Sequence, residues 1–254
     1  MDKTRNMTVL ITGGGTGIGF SVAKRFHRDG YSVVICGRRE SVLKKAVQEI
    51  SSTNERVEYS VADINKEDDI KRLVEKTVKW TNRLDILVNN AGAMRINKPP
   101  QETSLEEWKS VIDTNINGTF LCCREAAKIM IKQNSGRIIN ISSMSGTIVN
   151  KYFHGGSYEV SKAAINMLTK VLAIEWAPYN ISVNAIAPGY YDTKPNRDFF
   201  AKESGLFEKV SELIPQRKLG NLKGLCDFIF SISTTPANYL TGTVIPVDGG
   251  YTLW

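Results

Sequence analysis

Histidine and cysteine are scarce in this chain, and their arrangement removes several kinds of chemistry at once. Only His27 and His154 occur among the 254 residues. Neither belongs to a nucleophile–base–acid set, so a Ser-His-acid hydrolase is disfavoured. The four cysteines, Cys36, Cys122, Cys123 and Cys226, form no Cys-x-x-Cys pair and no Cys/His cluster. No metal is expected from that spacing, and the thiols read as free and buried in a reducing compartment. No apolar run approaches the roughly 20 residues that span a bilayer. Residues 1–6 carry no apolar segment of the kind that marks a secretory signal. A cytoplasmic protein with no membrane partner is the expectation. Blocks of one charge are missing too: the net charge of +7 arises from Lys and Arg interleaved with Asp and Glu. That pattern suits solubility and a phosphorylated cofactor, and it offers no nucleic-acid face. Linkers, repeats and low-complexity stretches are also lacking, so the chain reads as a single domain over 1–254.

Short apolar runs alternating with amphipathic stretches fill the chain. Strands are expected at Val9–Thr12, 31–36, 57–61, 84–88, 136–141, 181–186 and 243–247. Between them, helical periodicity covers Ile18 to Phe26, 41–51, 66–80, about 105–132 (with a break near Gly118) and 157–177. Strands separated by helices of this length predict βαβ units and a parallel sheet with helices on both faces, an α/β doubly wound, Rossmann-like fold. Ligands of such sheets sit at the carboxyl ends of the strands, where strand order reverses. The segment from 192 to about 223 has no strand signal and is rich in charge and aromatics, which suits a helical flap over a site.

The motifs fall just after strands, as that rule requires. Thr12-Gly13-Gly14-Gly15-Thr16-Gly17-Ile18-Gly19 joins the first strand to the first helix, an arrangement in which free N–H groups can receive a pyrophosphate. An ordinary tight turn would use the same glycines. The second strand ends in Cys36-Gly37-Arg38-Arg39, with no acid where a ribose 2′-hydroxyl would need one. Arginine there favours a 2′-phosphate, hence NADP(H), with NAD(H) left open. Asp63, after the third strand, either meets an adenine amino group or caps the next helix. Asn89-Asn90-Ala91-Gly92 follows the fourth strand and would let a cofactor lie against backbone. Tyr158 and Lys162 are four apart on one helix face. An ammonium near a phenol favours the phenolate, which brings tyrosine toward useful proton exchange. Ser142, Ser143 and Ser145 close the fifth strand, as turn-formers or as holders of a substrate oxygen. Asn115 sits inside a helix, where asparagine competes with the backbone and can mark a kink. His154 is near the expected site and a candidate substrate contact, whereas His27 falls on a helix and reads as a surface residue.

Together these residues resemble the short-chain dehydrogenase/reductase family over essentially the whole chain. Thr12-Gly13-x-x-x-Gly17-Ile18-Gly19, Asn89-Asn90-Ala91-Gly92, Asn115, Ser143, Tyr158-x-x-x-Lys162, Pro188-Gly189-x-x-x-Thr193 and Asp248-Gly249-Gly250 occur in the family's order. The resemblance implies a seven-stranded sheet and an acid/base role for Tyr158. It gives Lys162 the nicotinamide ribose, Ser143 the substrate oxygen, and Asn115 a water that links Lys162 to solvent. Pro188, Gly189 and Thr193 would border the nicotinamide. Thr16, Ile64 and Tyr191 join the implied cofactor-binding set. The family's serine usually precedes its tyrosine by about thirteen residues; Ser145 has that interval, and Ser143 does not. Ser143 is the expected one because it directly ends the strand, which puts the extra length in the loop 150–156. Ser-Met-Ser-Gly-x-Ile-Val-Asn and Ala-Ile-Ala-Pro-Gly-Tyr-Tyr look most like sugar and polyol members such as gluconate 5-dehydrogenase. The alternatives are a 3-oxoacyl-carrier-protein reductase and a non-catalytic cofactor-binding scaffold. A homotetramer is also implied.

Overall fold

Seven short β-branched strands form one parallel sheet in the order β3-β2-β1-β4-β5-β6-β7. The structure is a computed structural model that describes residues 7–53, 55–201, 204–235 and 239–254. Residues 1–6, read above for a signal segment, and Lys202 and Glu203 of the 192–223 stretch lie outside the described residues. The strands are β1 (Thr8–Thr12), β2 (Ser32–Gly37), β3 (Val57–Val61), β4 (Ile86–Asn89), β5 (Gly136–Ile141), β6 (Ile181–Pro188) and β7 (Val244–Val247). β1 lies between β2 and β4, so the chain reverses its direction of travel there. That switch leaves a crevice beyond the ends of β1 and β4. The expected α/β doubly wound fold with a seven-stranded parallel sheet is the observed one.

Helices cover both faces, and β1, buried throughout, sends alternate side chains to two cores. Val9 and Ile11 point to a core shared with Val22, Ala23 and Phe26 of α1 (Gly17–Arg28), Leu43 of α2 (Glu40–Ile50) and Ile229 of α9 (Leu222–Thr234). Leu10 points to the opposite core, built with Leu73 of α3 (Glu67–Thr81), Met130 of α5 (Thr119–Gln133) and Leu172 of α6 (Ser157–Trp176). A fully buried side chain such as Phe26 contributes about 1.5–3 kcal/mol of burial. The helix expected over 105–132 is interrupted. α4 (Leu105–Ile112) begins with a Ser104/Glu107 capping box and runs into one π-helical turn at Asp113–Gly118 before α5. Between β6 and α9 the chain forms two short helices, α7 (Lys194–Phe200) and α8 (Leu206–Leu213). Among the described residues, no helix is long and apolar enough to cross a membrane.

Candidate active site

The α1 helix begins without an anion of its own. Its N-cap Thr16 makes no side-chain capping bond, and its first turn holds no acid. By contrast, α3 opens on Glu67, Asp68 and Asp69, which complement the positive helix end. The first N–H groups of α1 are therefore free to receive an external anion. Gly17, at the helix start, has φ +58°, and no atom lies within 4 Å of where a Cβ would be. That conformation suits glycine, and the missing side chain leaves the loop mouth open.

The loop is held from behind by the chain after β4. The Thr12 hydroxyl accepts from the N–H groups of Asn90 and Ala91, both at 3.0 Å. The Asn90 amide donates to the carbonyls of Thr12 (3.1 Å) and Gly13 (3.2 Å). A Cβ on Gly19 would lie 2.4 Å from that Asn90 nitrogen, so only glycine admits this contact. Thr12 and Gly19 thus support the crevice without lining it.

A crevice of about 440 Å³ starts at this loop, lined by Gly13, Thr16, Gly17 and Ile18, a volume typical of small-molecule sites. It continues past Arg38 and Arg39, past Asp63 and Ile64, and along Asn90, Ala91 and Gly92. It ends among Ser143, Tyr158, Lys162, Pro188, Gly189, Tyr191 and Thr193. Arg38 and Arg39 are exposed at its wall, and neither has a carboxylate partner among the described residues. Asp63 does not cap α3 directly: its carboxylate accepts from the Asn65 N–H at 3.1 Å, and Lys66 occupies the uncapped N-cap position. Tyr191 donates its phenol to the Val247 carbonyl at 3.0 Å, tying the crevice wall to β7.

At the far end, α6 presents Tyr158 and Lys162 to the carboxyl end of β5. The Lys162 ammonium lies 5.6 Å from the Tyr158 ring centre and donates to the Ile141 carbonyl at 2.8 Å. Burial pulls that ammonium down to about 8, because the charged form loses its water. Burial pushes the Tyr158 phenol up, opposed by a hydrogen bond with Ser143 and by the charge of Arg95. Ser143 faces the crevice and the phenol. Ser145 turns away and accepts from Asn150 at 2.8 Å and from Arg95 at 3.1 Å.

Asn115 is buried in the π-helical turn and does not reach the crevice. Its side-chain oxygen accepts from the Ala93 N–H at 2.7 Å, and its amide donates to Ser161 at 2.9 Å and to the Ala93 carbonyl at 3.3 Å. It joins the segment after Gly92 to α6 at Ser161. His154 is exposed, with its backbone N–H donating to Asn97, and it does not line the crevice. His27 is half-buried rather than free on the surface, its ring nitrogen 2.9 Å from the Glu55 carbonyl. Sequence reasoning passed over Arg95, Asn150 and Glu159, and also Asn196, which lines the crevice and donates to the Tyr191 carbonyl. Their roles depend on tertiary partners, and no local pattern marks them.

Residues 7–204 match the family described as short chain dehydrogenase. The chain is 33% identical over 244 residues to galactitol 2-dehydrogenase (L-tagatose-forming) of Cereibacter sphaeroides, covering 96% of this chain and 94% of that one. It is 34% identical over 250 residues to the 3-oxoacyl-[acyl-carrier-protein] reductase FabG of Chlamydia muridarum, covering 96% and 97%. Among solved structures, ElxO with NADP bound superposes with a TM-score of 0.90 at 33% identity, over 98% of this chain and all of that one.

Proposed function

The chain belongs to the short chain dehydrogenase family of oxidoreductases acting on alcohol and ketone groups, and from that premise we propose that it interconverts a secondary alcohol and a ketone with NADP(H), using Tyr158 as acid and base. The observation that carries this is the single crevice joining the free N-terminus of α1 to Ser143, Tyr158 and Lys162. Its residues fit a dinucleotide: an uncapped helix end for the pyrophosphate, arginines without a carboxylate partner among the described residues for a 2′-phosphate, and small residues after β4 where backbone can be approached. When bound, the cofactor supplies or accepts the hydride.

The chain's own residues handle the oxygen and the proton. Ser143 holds the substrate oxygen beside the Tyr158 oxygen; in reduction the Tyr158 phenol gives its proton to the nascent alkoxide, and in oxidation the Tyr158 phenolate takes the proton from the alcohol. Lys162 supports the phenolate form and is placed to bond the nicotinamide ribose. Asn115 keeps the π-helical turn and the segment after Gly92 in register with α6, the setting in which a water could join Lys162 to solvent. Ile18, Ile64, Pro188, Gly189, Tyr191 and Thr193 complete the cofactor walls, with Thr12 and Gly19 behind the phosphate loop. Arg38 and Arg39 favour NADP(H) over NAD(H), a reading supported by the likeness to ElxO, which was solved with NADP.

For the substrate we favour a sugar, polyol or sugar acid of the gluconate 5-dehydrogenase type, in line with the galactitol-oxidising relative. The segment 192–223 and the loop 150–156 form the flap and rim that choose it. The FabG relative supports a second reading, a 3-oxoacyl thioester. Steady-state rates on ketoses and keto-gluconate against an acetoacetyl thioester, each with NADPH and NADH, separate the two; a preference for the thioester would overturn the sugar reading. A non-catalytic scaffold would show no turnover with any carbonyl. The protein is expected to work as a cytoplasmic homotetramer, consistent with its four free, buried cysteines and the exposed apolar side chains of α4–α6.

A further inference from the structure

Arg95 lies on the segment after β4, outside the expected site residues, yet it packs against the tyrosine. Its guanidinium carbon is 5.4 Å from the centre of the Tyr158 ring, as close as the Lys162 ammonium at 5.6 Å. The arginine is mostly buried, its side chain 16% exposed, and it is ion-paired to Glu159, the residue next to Tyr158 on α6. It also donates to Ser145 at 3.1 Å. Asn150 of the lengthened loop donates to the same serine at 2.8 Å, and the Tyr190 hydroxyl donates to Asn150 at 3.3 Å. The serine at the family's usual interval from the tyrosine is thereby committed to holding an arginine.

On the reading of Tyr158 as acid and base, we propose that Arg95 is a positioning residue for it: a second cation on the phenol, clamped in place by Glu159 and Ser145. Two features argue for this over simple packing. A buried ion pair returns little net stability, because desolvating both charges offsets their attraction. The Arg95 Nε, moreover, is buried without a hydrogen-bond partner among the described residues, so the bonds to Ser145 and Glu159 hold the guanidinium without satisfying all of its donors. Its carbon lies over the Tyr158 ring at 5.4 Å and over the Phe153 ring at 5.2 Å, which keeps the charge beside the phenol. Lys162 gives up its proton near 8, whereas a guanidinium keeps its charge across the working range. Arg95 is then the cation that persists when alcohol oxidation, which needs the phenolate, is favoured by alkaline pH.

The charges facing Tyr158 come from two elements. Lys162 and Glu159 belong to its own helix, and Arg95 comes from the segment after β4. Tyr190 and Tyr251 are titratable groups within the electrostatic reach of Arg95. Arg95 favours the phenolate, and Glu159 opposes it. The two partners of one ion pair should therefore shift the proton exchange in opposite directions, which a structural role would not produce.

The test is the pH profile of kcat/KM for alcohol oxidation with NADP+, in the parent and in Arg95→Met, Arg95→Lys and Glu159→Gln. Removing the cation raises the apparent pKa, so the rising limb of Arg95→Met moves to higher pH by about one unit, roughly tenfold in rate on the limb. Arg95→Lys keeps the charge without the planar fork and shifts less. Glu159→Gln can still accept from Gly156 and moves the limb to lower pH. Opposite shifts support the proposal. Shifts in one direction, or lower rates at every pH with unmoved limbs, overturn it. Should Arg95→Met fail to fold, an unmoved or raised limb in Glu159→Gln still overturns it. Tyr158→Phe serves as the control: if the limb survives in that variant, the acid/base reading itself is wrong, and if turnover vanishes there while Arg95 variants keep the parent limb, only the Arg95 proposal fails.

Discussion

Burial acts on Tyr158 and Lys162 in opposite directions, raising the phenol and lowering the ammonium, and both effects can be measured. The Lys162 charge is worse accommodated in the folded chain than in the unfolded one, where lysine titrates near 10.4. The resulting cost is fully present below about pH 8 and is relieved as pH rises toward about 10.4. Lys162→Met should remove a penalty of about 3 kcal/mol at pH 7, less about 1 kcal/mol for the lost bond to Ile141. The variant should therefore be more stable than the parent in denaturant titrations near neutrality, with the advantage gone in strong alkali, and it should turn over poorly. Lower stability at every pH would contradict the burial argument. At the other end of the crevice, Arg38→Ser should weaken NADPH about tenfold, by loss of a charge-assisted phosphate contact, and leave NADH nearly unchanged. Equal losses for both cofactors would show that Arg38 does not meet the 2′-phosphate.

The elements that frame the site are joined by few bonds, and these set what a sequence can reveal. The strand ends were legible because most of the apolar runs stop at glycine, serine or asparagine, with Asp63 and Asp248 closing the other two, and the doubly wound order follows from their alternation with helices. The interruption near Gly118 was legible as a break, but its form was not. A π-helical turn at 113–118 owes its shape to Asn115 bonding Ala93 and Ser161, which lie 22 and 46 residues away. Arg95 was invisible for the same reason, since Ser145 and Glu159 are 50 and 64 residues distant. Asn115→Ala would leave buried partners unsatisfied and should cost about 1–3 kcal/mol, with a matching fall in kcat and little change in NADPH affinity. A variant as stable as the parent would place the bonding elsewhere. Gly19→Ala would drive a methyl into the Asn90 amide and the Gly13 carbonyl. About 1–3 kcal/mol of overpacking is expected, together with weaker NADPH binding, because the phosphate loop and the segment after β4 shift together. Unaltered cofactor affinity would separate the two loops.

At the scale of the molecule, the helices that flank the site carry several exposed apolar side chains. Leu105, Phe120, Val160, Met167, Val171 and Ile174 are exposed on α4, α5 and α6, an arrangement that burial against a second copy would relieve. Light scattering should give four times the 28.3 kDa chain mass, and Val171→Glu combined with Ile174→Glu should split the assembly. A monomeric parent would contradict the expected tetramer. Tyr158 lies on α6, and Asn115 lies in the turn between α4 and α5, so on the proposed reading assembly and chemistry would share a support. The most direct test of the proton-exchange role is the rate of NADPH consumption with the best ketone of a ketose and keto-acid panel, compared between the parent and Tyr158→Phe at matched cofactor occupancy. The expected result is a loss of about 100-fold or more in kcat with NADPH binding unchanged; a Tyr158→Phe protein that binds NADPH and reduces the ketone at the parent rate would contradict it.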